Sequence, residues 1–199
     1  MAFDFNVDYI LENAVVQLRP LTENDLRHLL PFAINEPEIW KYSLVQAHGE
    51  ENLRNYIQIA LRERANKKEY AFIVFDKRSG KYAGSTRFYD IQLENETLQL
   101  GYTWYGKEFL GTGLNKNCKF LMLQFAFETI KVERVEFRAD SRNDRSIAAM
   151  KSIGCTVEGT LRNNLPTHGY GRRSSVVLSI LKEEWADGVK ENLKKKIRL

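Results

Sequence analysis

Cysteine is scarce in this chain of 199 residues. Cys118 and Cys155 are the only two, far apart, with no CxxC pair and no Cys/His spacing. That argues against a disulfide framework and a zinc site, so no metal is expected. Both sit in apolar surroundings and read as buried free thiols. Charge of one sign is also lacking. Thirty Lys and Arg face 26 Asp and Glu, a net +4, without the clustered basic bias of a nucleic-acid binder. No apolar run approaches the length of a membrane span. Met1 to Ile10 carries Asp4 and Asp8 and no apolar stretch, so it does not read as a signal peptide. The expected compartment is the cytoplasm, with neither nucleic acid nor membrane as partner. Linkers, repeats and low-complexity segments are absent as well.

The chain does have enough apolar residues, 43%, to build a sizeable core without staples. Its length suits one domain over 1–199, with a core of about 15–181 and a C-terminal helix over 182–199. Val15 to Arg19 reads as a strand stopped by Pro20. Thr22 caps a helix carrying Leu26, Leu29, Leu30 and Ala33, which Pro31 can kink. Leu53, Tyr56, Ile57, Ala60 and Leu61 mark a second helix from Glu50 to Arg64. Strands follow at Tyr70 to Asp76, Lys81 to Ile91 and Thr97 to Trp104. In the last of these, Leu98, Leu100, Tyr102 and Trp104 alternate with Gln99, Gly101 and Thr103. A helix from Leu114 to Ile130, a strand from Val132 to Ala139, and a helix from Asn143 to Ser152 capped by Gly154 come next. Strands at Cys155 to Leu161 and Ser174 to Leu181 close the core. The expected class is α+β, a mixed and mostly antiparallel sheet flanked by helices.

Two features carry chemistry. Leu110-Gly111-Thr112-Gly113-Leu114 lies between a strand and a long helix. Its glycines allow a tight turn and close approach to a ligand. The helix start presents unpaired N–H groups and partial positive charge, which suits a phosphate, although a GxG also serves plain turns. The sequence has no Gly-Lys-Ser/Thr and no GxGxxG, against a nucleotide P-loop and a dinucleotide fold. About thirty residues downstream, Asn143-Asp144-Arg145-Ser146 opens a helix, with Asn143 as an N-cap candidate.

Together these resemble the GNAT superfamily of N-acetyltransferases, in particular its RimJ/RimL-type branch. Glu108-Phe109-Leu110-Gly111-Thr112-Gly113 is similar to its Q/R-x-x-G-x-G/A motif, and Asn143-Asp144-Arg145-Ser146…Gly154-Cys155 to its N-x-x-S/A…G-F motif. Arg19-Pro20-Leu21 and Gln99-Leu100-Gly101-Tyr102 match further family steps. The resemblance implies the GNAT fold and acetyl-coenzyme A as co-substrate. Leu110, Gly111, Thr112, Gly113 and Leu114 would hold the pyrophosphate. Tyr102, Thr103 and Trp104 would pair with the pantetheine arm, and Asn143 would bond it from the other side. A primary amine, at a protein N-terminus or in a small molecule, would attack the thioester directly.

The sequence departs from the family at several points. Glu108 stands where Gln or Arg is usual, with Lys107, Lys116 and Lys119 as compensating charges or ordinary surface. Met150 occupies the position of the family's tyrosine acid, and Gln99 that of a frequent glutamate. Ser146 remains as a donor to the thiolate, and His168 as a base near the acceptor entrance. Asp90, Asp140 and Glu158 are weaker bases. Trp40, Tyr42, Phe88 and Tyr89 line an acceptor pocket or fill core. These departures leave a second class open, a non-catalytic acyl-coenzyme A-binding module on the same fold. A homodimer through an exposed edge strand is a further expectation.

Overall fold

The computed structural model describes residues 3–169 and 171–197. Met1 and Ala2 of the N-terminal reading, and the last two residues of the C-terminal helix, lie outside them. The apolar segments pair into one eight-stranded sheet. Its strands are β1 (Leu11–Glu12), β2 (Val16–Pro20), β3 (Tyr70–Asp76), β4 (Lys81–Gln92), β5 (Thr97–Tyr105), β6 (Arg134–Asp140), β7 (Thr156–Pro166) and β8 (Arg172–Leu181), in spatial order β1-β2-β3-β4-β5-β6-β8-β7. All neighbours are antiparallel except β5 and β6. Parallel strands need a long crossover. Helix α3 (Leu114–Gln124) supplies it, continuing as a π-turn over Phe125–Ile130.

Helices α1 (Leu26–Asn35) and α2 (Glu50–Ala65) pack on each other, and α4 (Asp144–Ser152) packs on β6. The chain ends in α5 (Lys182–Glu184), a wide turn at Trp185–Val189 with a kink at Gly188, and α6 (Lys190–Ile197). Trp185 and Leu193 anchor this end in the core. The mixed sheet with flanking helices is the expected class, with local differences. Pro20 closes β2 as its last residue, paired with Phe72, rather than stopping it one residue earlier. Helix α1 runs through Pro31. Short β1 was not read from the sequence, and β7 and β8 extend into a long hairpin where a loop was expected.

The alternation read along β5 breaks. Arg87 pairs with Gly101 and Ser85 with Trp104, so Tyr102 and Thr103 together oppose Thr86. This is a bulge, and Tyr102 takes a left-handed φ of 48°. Side chains beyond it no longer follow the period of two. A guanidinium braces the irregularity: Arg87 Cζ lies 4.4 Å from the Tyr102 ring centroid and 4.5 Å from that of Tyr56. Arg87 is buried and paired with Glu69 at 2.7 Å.

Candidate active site

The bulge lies where the sheet comes apart. Pairing between β5 and β6 ends at Gln99↔Glu136, while β5 stays bonded to β4 and β6 to β8. Beyond that point the facing edges of Leu100 to Tyr105 and Phe137 to Asp140 line a cavity of about 450 Å³. Backbone groups on a split edge must find partners elsewhere. An extended ligand with its own amides fits that need.

The glycine turn opens into the same cavity, which Leu110, Gly111 and Gly113 line. Both glycines have positive φ, 76° and 84°, and a side chain built on either would meet no protein atom within 4 Å. The first helical hydrogen bond of α3 runs from Asn117 N–H to Gly113 O at 3.2 Å. The Asn115 and Lys116 amides precede it, at the positive end of the helix. Thr112 faces away from the cavity and holds the turn. Its hydroxyl donates to Phe109 O at 2.8 Å, and its carbonyl accepts from Arg78 at 3.1 Å. Leu114 is fully buried. Of the five turn residues, these two are not among the cavity's lining. Glu108 is drawn off by Lys81 at 3.0 Å, and Lys107 pairs with Glu38. Of the three lysines read as compensating charges, Lys116 and Lys119 reach the cavity.

Tyr102, Thr103 and Trp104 line one wall, and Asn143 and Ser146 another. Asn143 is the N-cap of α4: its Oδ1 accepts the Ser146 N–H at 3.1 Å, which leaves the amide NH2 for a ligand. Ser146 and Met150 share a helix face at i and i+4, and both line the cavity.

The remaining candidates are dispersed. His168 is exposed at the β7–β8 hairpin, its Nε2 3.1 Å from Leu44 O, and it does not line the cavity. Leu44 itself does, so His168 stands behind the wall. Gln99 donates to Asp90 at 2.8 Å. Asp140 lines the cavity, but its carboxylate accepts from the Arg142 guanidinium at 2.7 and 2.9 Å and from the Arg142 N–H at 3.0 Å, which lower its pKa despite burial. Glu158 sits on the edge strand, where Arg134 and Ser179 pull its pKa to about 2. Trp40, Tyr42 and Tyr89 line the cavity, whereas Phe88 is fully buried against Phe72 and Phe125.

Lys119 is the residue that the sequence reading misjudged. It is not on the surface: only 5% of it is exposed. Its Nζ donates to Thr103 Oγ1 at 2.7 Å and lies 3.4 Å from Thr86 Oγ1. Burial pulls its pKa down to about 7. The signal was present, because Asn115, Lys119, Met122 and Ala126 form one helical stripe and the last two are plainly core. Burial raises both Cys118 and Cys155 to about 12, which keeps these free thiols neutral. Among the described residues, no group of three or more His, Cys, Asp or Glu is placed to hold a metal ion, and no helix is long and apolar enough to cross a membrane.

This split sheet, with a glycine turn at the head of the crossover helix, defines an acyltransferase architecture. The family model described as "Acetyltransferase (GNAT) domain" matches residues 16–156. The chain belongs to the GNAT family of acetyltransferases. YdaF of Bacillus subtilis (strain 168), provisionally named a ribosomal N-acetyltransferase, is 31% identical over 106 residues, which span 53% of this chain and 57% of that protein. A solved structure from T. thermophilus, provisionally described as an acetyltransferase, is 33% identical with a TM-score of 0.85 and full coverage of both chains. The solved structure of RimL, a ribosomal L7/L12 alpha-N-protein acetyltransferase, shares the fold at a TM-score of 0.76 and 17% identity, over 91% of this chain and 98% of that one.

Proposed function

We propose that the protein transfers an acetyl group from acetyl-coenzyme A to a primary amine, at a protein N-terminus or on a small molecule. The observation that carries this reading is the continuous cavity that joins the open glycine turn to the bulged edge of β5. The turn fits a pyrophosphate, because the space a side chain would occupy at Gly111 and Gly113 is clear of protein. Leu110, Gly111 and Gly113 would hold it with backbone amides, with Lys116 adding positive charge. The free edge at Tyr102 to Trp104 would pair with the pantetheine amides, and the Asn143 amide would bond the arm from α4. Bound there, the co-substrate supplies an activated acetyl group.

The chain's own residues then orient and polarise. A backbone N–H freed by the bulge at Tyr102 can point at the acyl oxygen and stabilise developing negative charge. Ser146 offers a hydroxyl to the sulfur. The Ile39–Leu44 wall, with Trp40 and Tyr42, would place the amine in line for direct attack. His168 supports this role indirectly, by holding Leu44 O. The names of YdaF and RimL favour a ribosomal protein N-terminus as the first acceptor to test.

Acetyl-coenzyme A should raise the thermal midpoint progressively with concentration, and Gly113→Val, which puts methyls into the open cradle, should remove most of that rise. No stabilisation of the unmodified protein at saturating ligand overturns the reading. Release of free thiol with a panel of amines and N-terminal peptides separates an enzyme from an acyl-coenzyme A-binding module, which would bind without turnover.

A further inference from the structure

We propose that Lys119 is the proton donor to the departing thiolate, reaching in from α3 to do what Met150 on α4 cannot. The proposal rests on the acetyl-transfer reading above and adds a residue to it. Lys119 lines the cavity beside Thr103, the second residue of the bulge, and Met150 lines the same cavity from α4. Asn115 and Lys119 share one face of α3, so the helix that would hold the pyrophosphate also presents an ammonium further along.

The placement of Lys119 needs an explanation beyond packing. A buried ammonium normally has a carboxylate beside it. Among the described residues none pairs with Lys119. Its contacts are the hydroxyls of Thr103 and Thr86, which also bond each other at 2.7 Å. Cys118 on α3 and Cys155 beyond α4 act on it electrostatically, Tyr105 on β5 lies beside Cys118, and burial raises all three toward neutral forms. The other charged residues that line the cavity are Lys116, Arg138, Asp140, Arg145 and Arg173, and the Asp140 carboxylate is held by Arg142. The nearest fixed cation on β4, Arg87, is stacked between Tyr56 and Tyr102 and paired with Glu69. The ammonium form of Lys119 therefore has no carboxylate partner among the described residues, and a thiolate forming in the cavity would be its natural counter-ion. A pKa of about 7 suits a general acid working near neutrality. A serine hydroxyl holds its proton far too tightly to surrender it, so Ser146 contributes a hydrogen bond and Lys119 the proton.

In the step, the amine nitrogen bonds to the acetyl carbon and the carbon–sulfur bond breaks with its electron pair passing to sulfur. Lys119 Nζ gives its proton to that sulfur. The new amide nitrogen releases its surplus proton to solvent, and Lys119 takes one back from solvent.

The test uses free coenzyme A and needs no acceptor. Unmodified protein and Lys119→Met are each saturated with coenzyme A, with binding followed by calorimetry, and the ultraviolet absorbance of the thiolate is titrated against pH. Thiolate and ammonium stabilise each other, so coenzyme A and Lys119 titrate as a pair. A thiolate formed beside Lys119 keeps the lysine protonated above about pH 7, and thiolate absorbance should appear at least about one pH unit below that of free coenzyme A in the unmodified protein. Lys119→Met should lose that shift while still binding. Should Lys119→Met fold poorly, Lys119→Gln takes its place, and a shift that survives in the folded variant overturns the role of Lys119. Binding with an unshifted thiol overturns the role of Lys119 and leaves the acetyl-transfer reading standing. A variant with weaker binding but the same thiol titration also overturns it, because Lys119 would then only brace Thr103. Acetylation of Lys119 itself on incubation with acetyl-coenzyme A, seen by mass spectrometry, overturns it too. Absence of coenzyme binding defeats both readings together.

Discussion

Lys119→Met should make the protein more stable near neutral pH, the reverse of what most core substitutions do. Burial holds the folded lysine at a pKa of about 7, against 10.5 for the free side chain. Between those values the unfolded chain carries a proton here that the folded chain does not. Stability of the unmodified protein therefore climbs with pH through that window, by about 1.4 kcal/mol per unit and about 5 kcal/mol in all. Above the window the lysine is neutral in both states and adds no pH dependence. Below about pH 7 the folded protein must bury the ammonium, and the whole penalty applies. Methionine has a similar length, no charge, and neighbours such as Met122 that already make this an apolar stripe. Urea unfolding of both proteins across a pH series reads the difference directly. The variant should lead at low pH, and its lead should shrink steadily as pH rises. A difference that stays flat with pH would refute the burial argument, since groups that both proteins share, Cys118 among them, cancel in the difference. A lysine that costs so much to bury is the kind of stored strain found at working sites.

Two further substitutions separate scaffold from chemistry. Asn143→Ala removes the Oδ1 acceptor of the Ser146 N–H and should cost about 1 kcal/mol in chemical unfolding. It should also weaken coenzyme A binding in calorimetry, because the amide NH2 is lost with it; unchanged affinity would confine Asn143 to its capping role. Ser146→Ala should leave coenzyme A affinity intact and slow turnover about tenfold, the worth of one hydrogen bond to a developing charge. Rates equal to those of the unmodified protein would remove Ser146 from the reaction.

Much of the architecture was written locally. Turn glycines, apolar periods and the spacing from Gly111 to Asn143 mark the order of the elements, where α3 and α4 begin, and which turns open onto the cavity. Those signals depend on neighbours within a few residues, so the chain states them directly. Three matters were decided only by tertiary structure. The alternation along β5 gave no hint of the Tyr102 bulge, because a bulge is a mismatch with a partner strand and Arg87 braces it from β4. The gap between β5 and β6 exists because their pairing stops at Gln99↔Glu136, a fact about two strands joined by a long crossover. The role of Lys119 follows from that gap. Read along the chain it is one charge among several near the glycine turn, and only burial against Thr86 and Thr103, with no carboxylate among the described residues brought to it, turns it into an acid poised near neutrality. Local sequence sets which groups are available; their desolvation and their partners are set by residues distant in the chain.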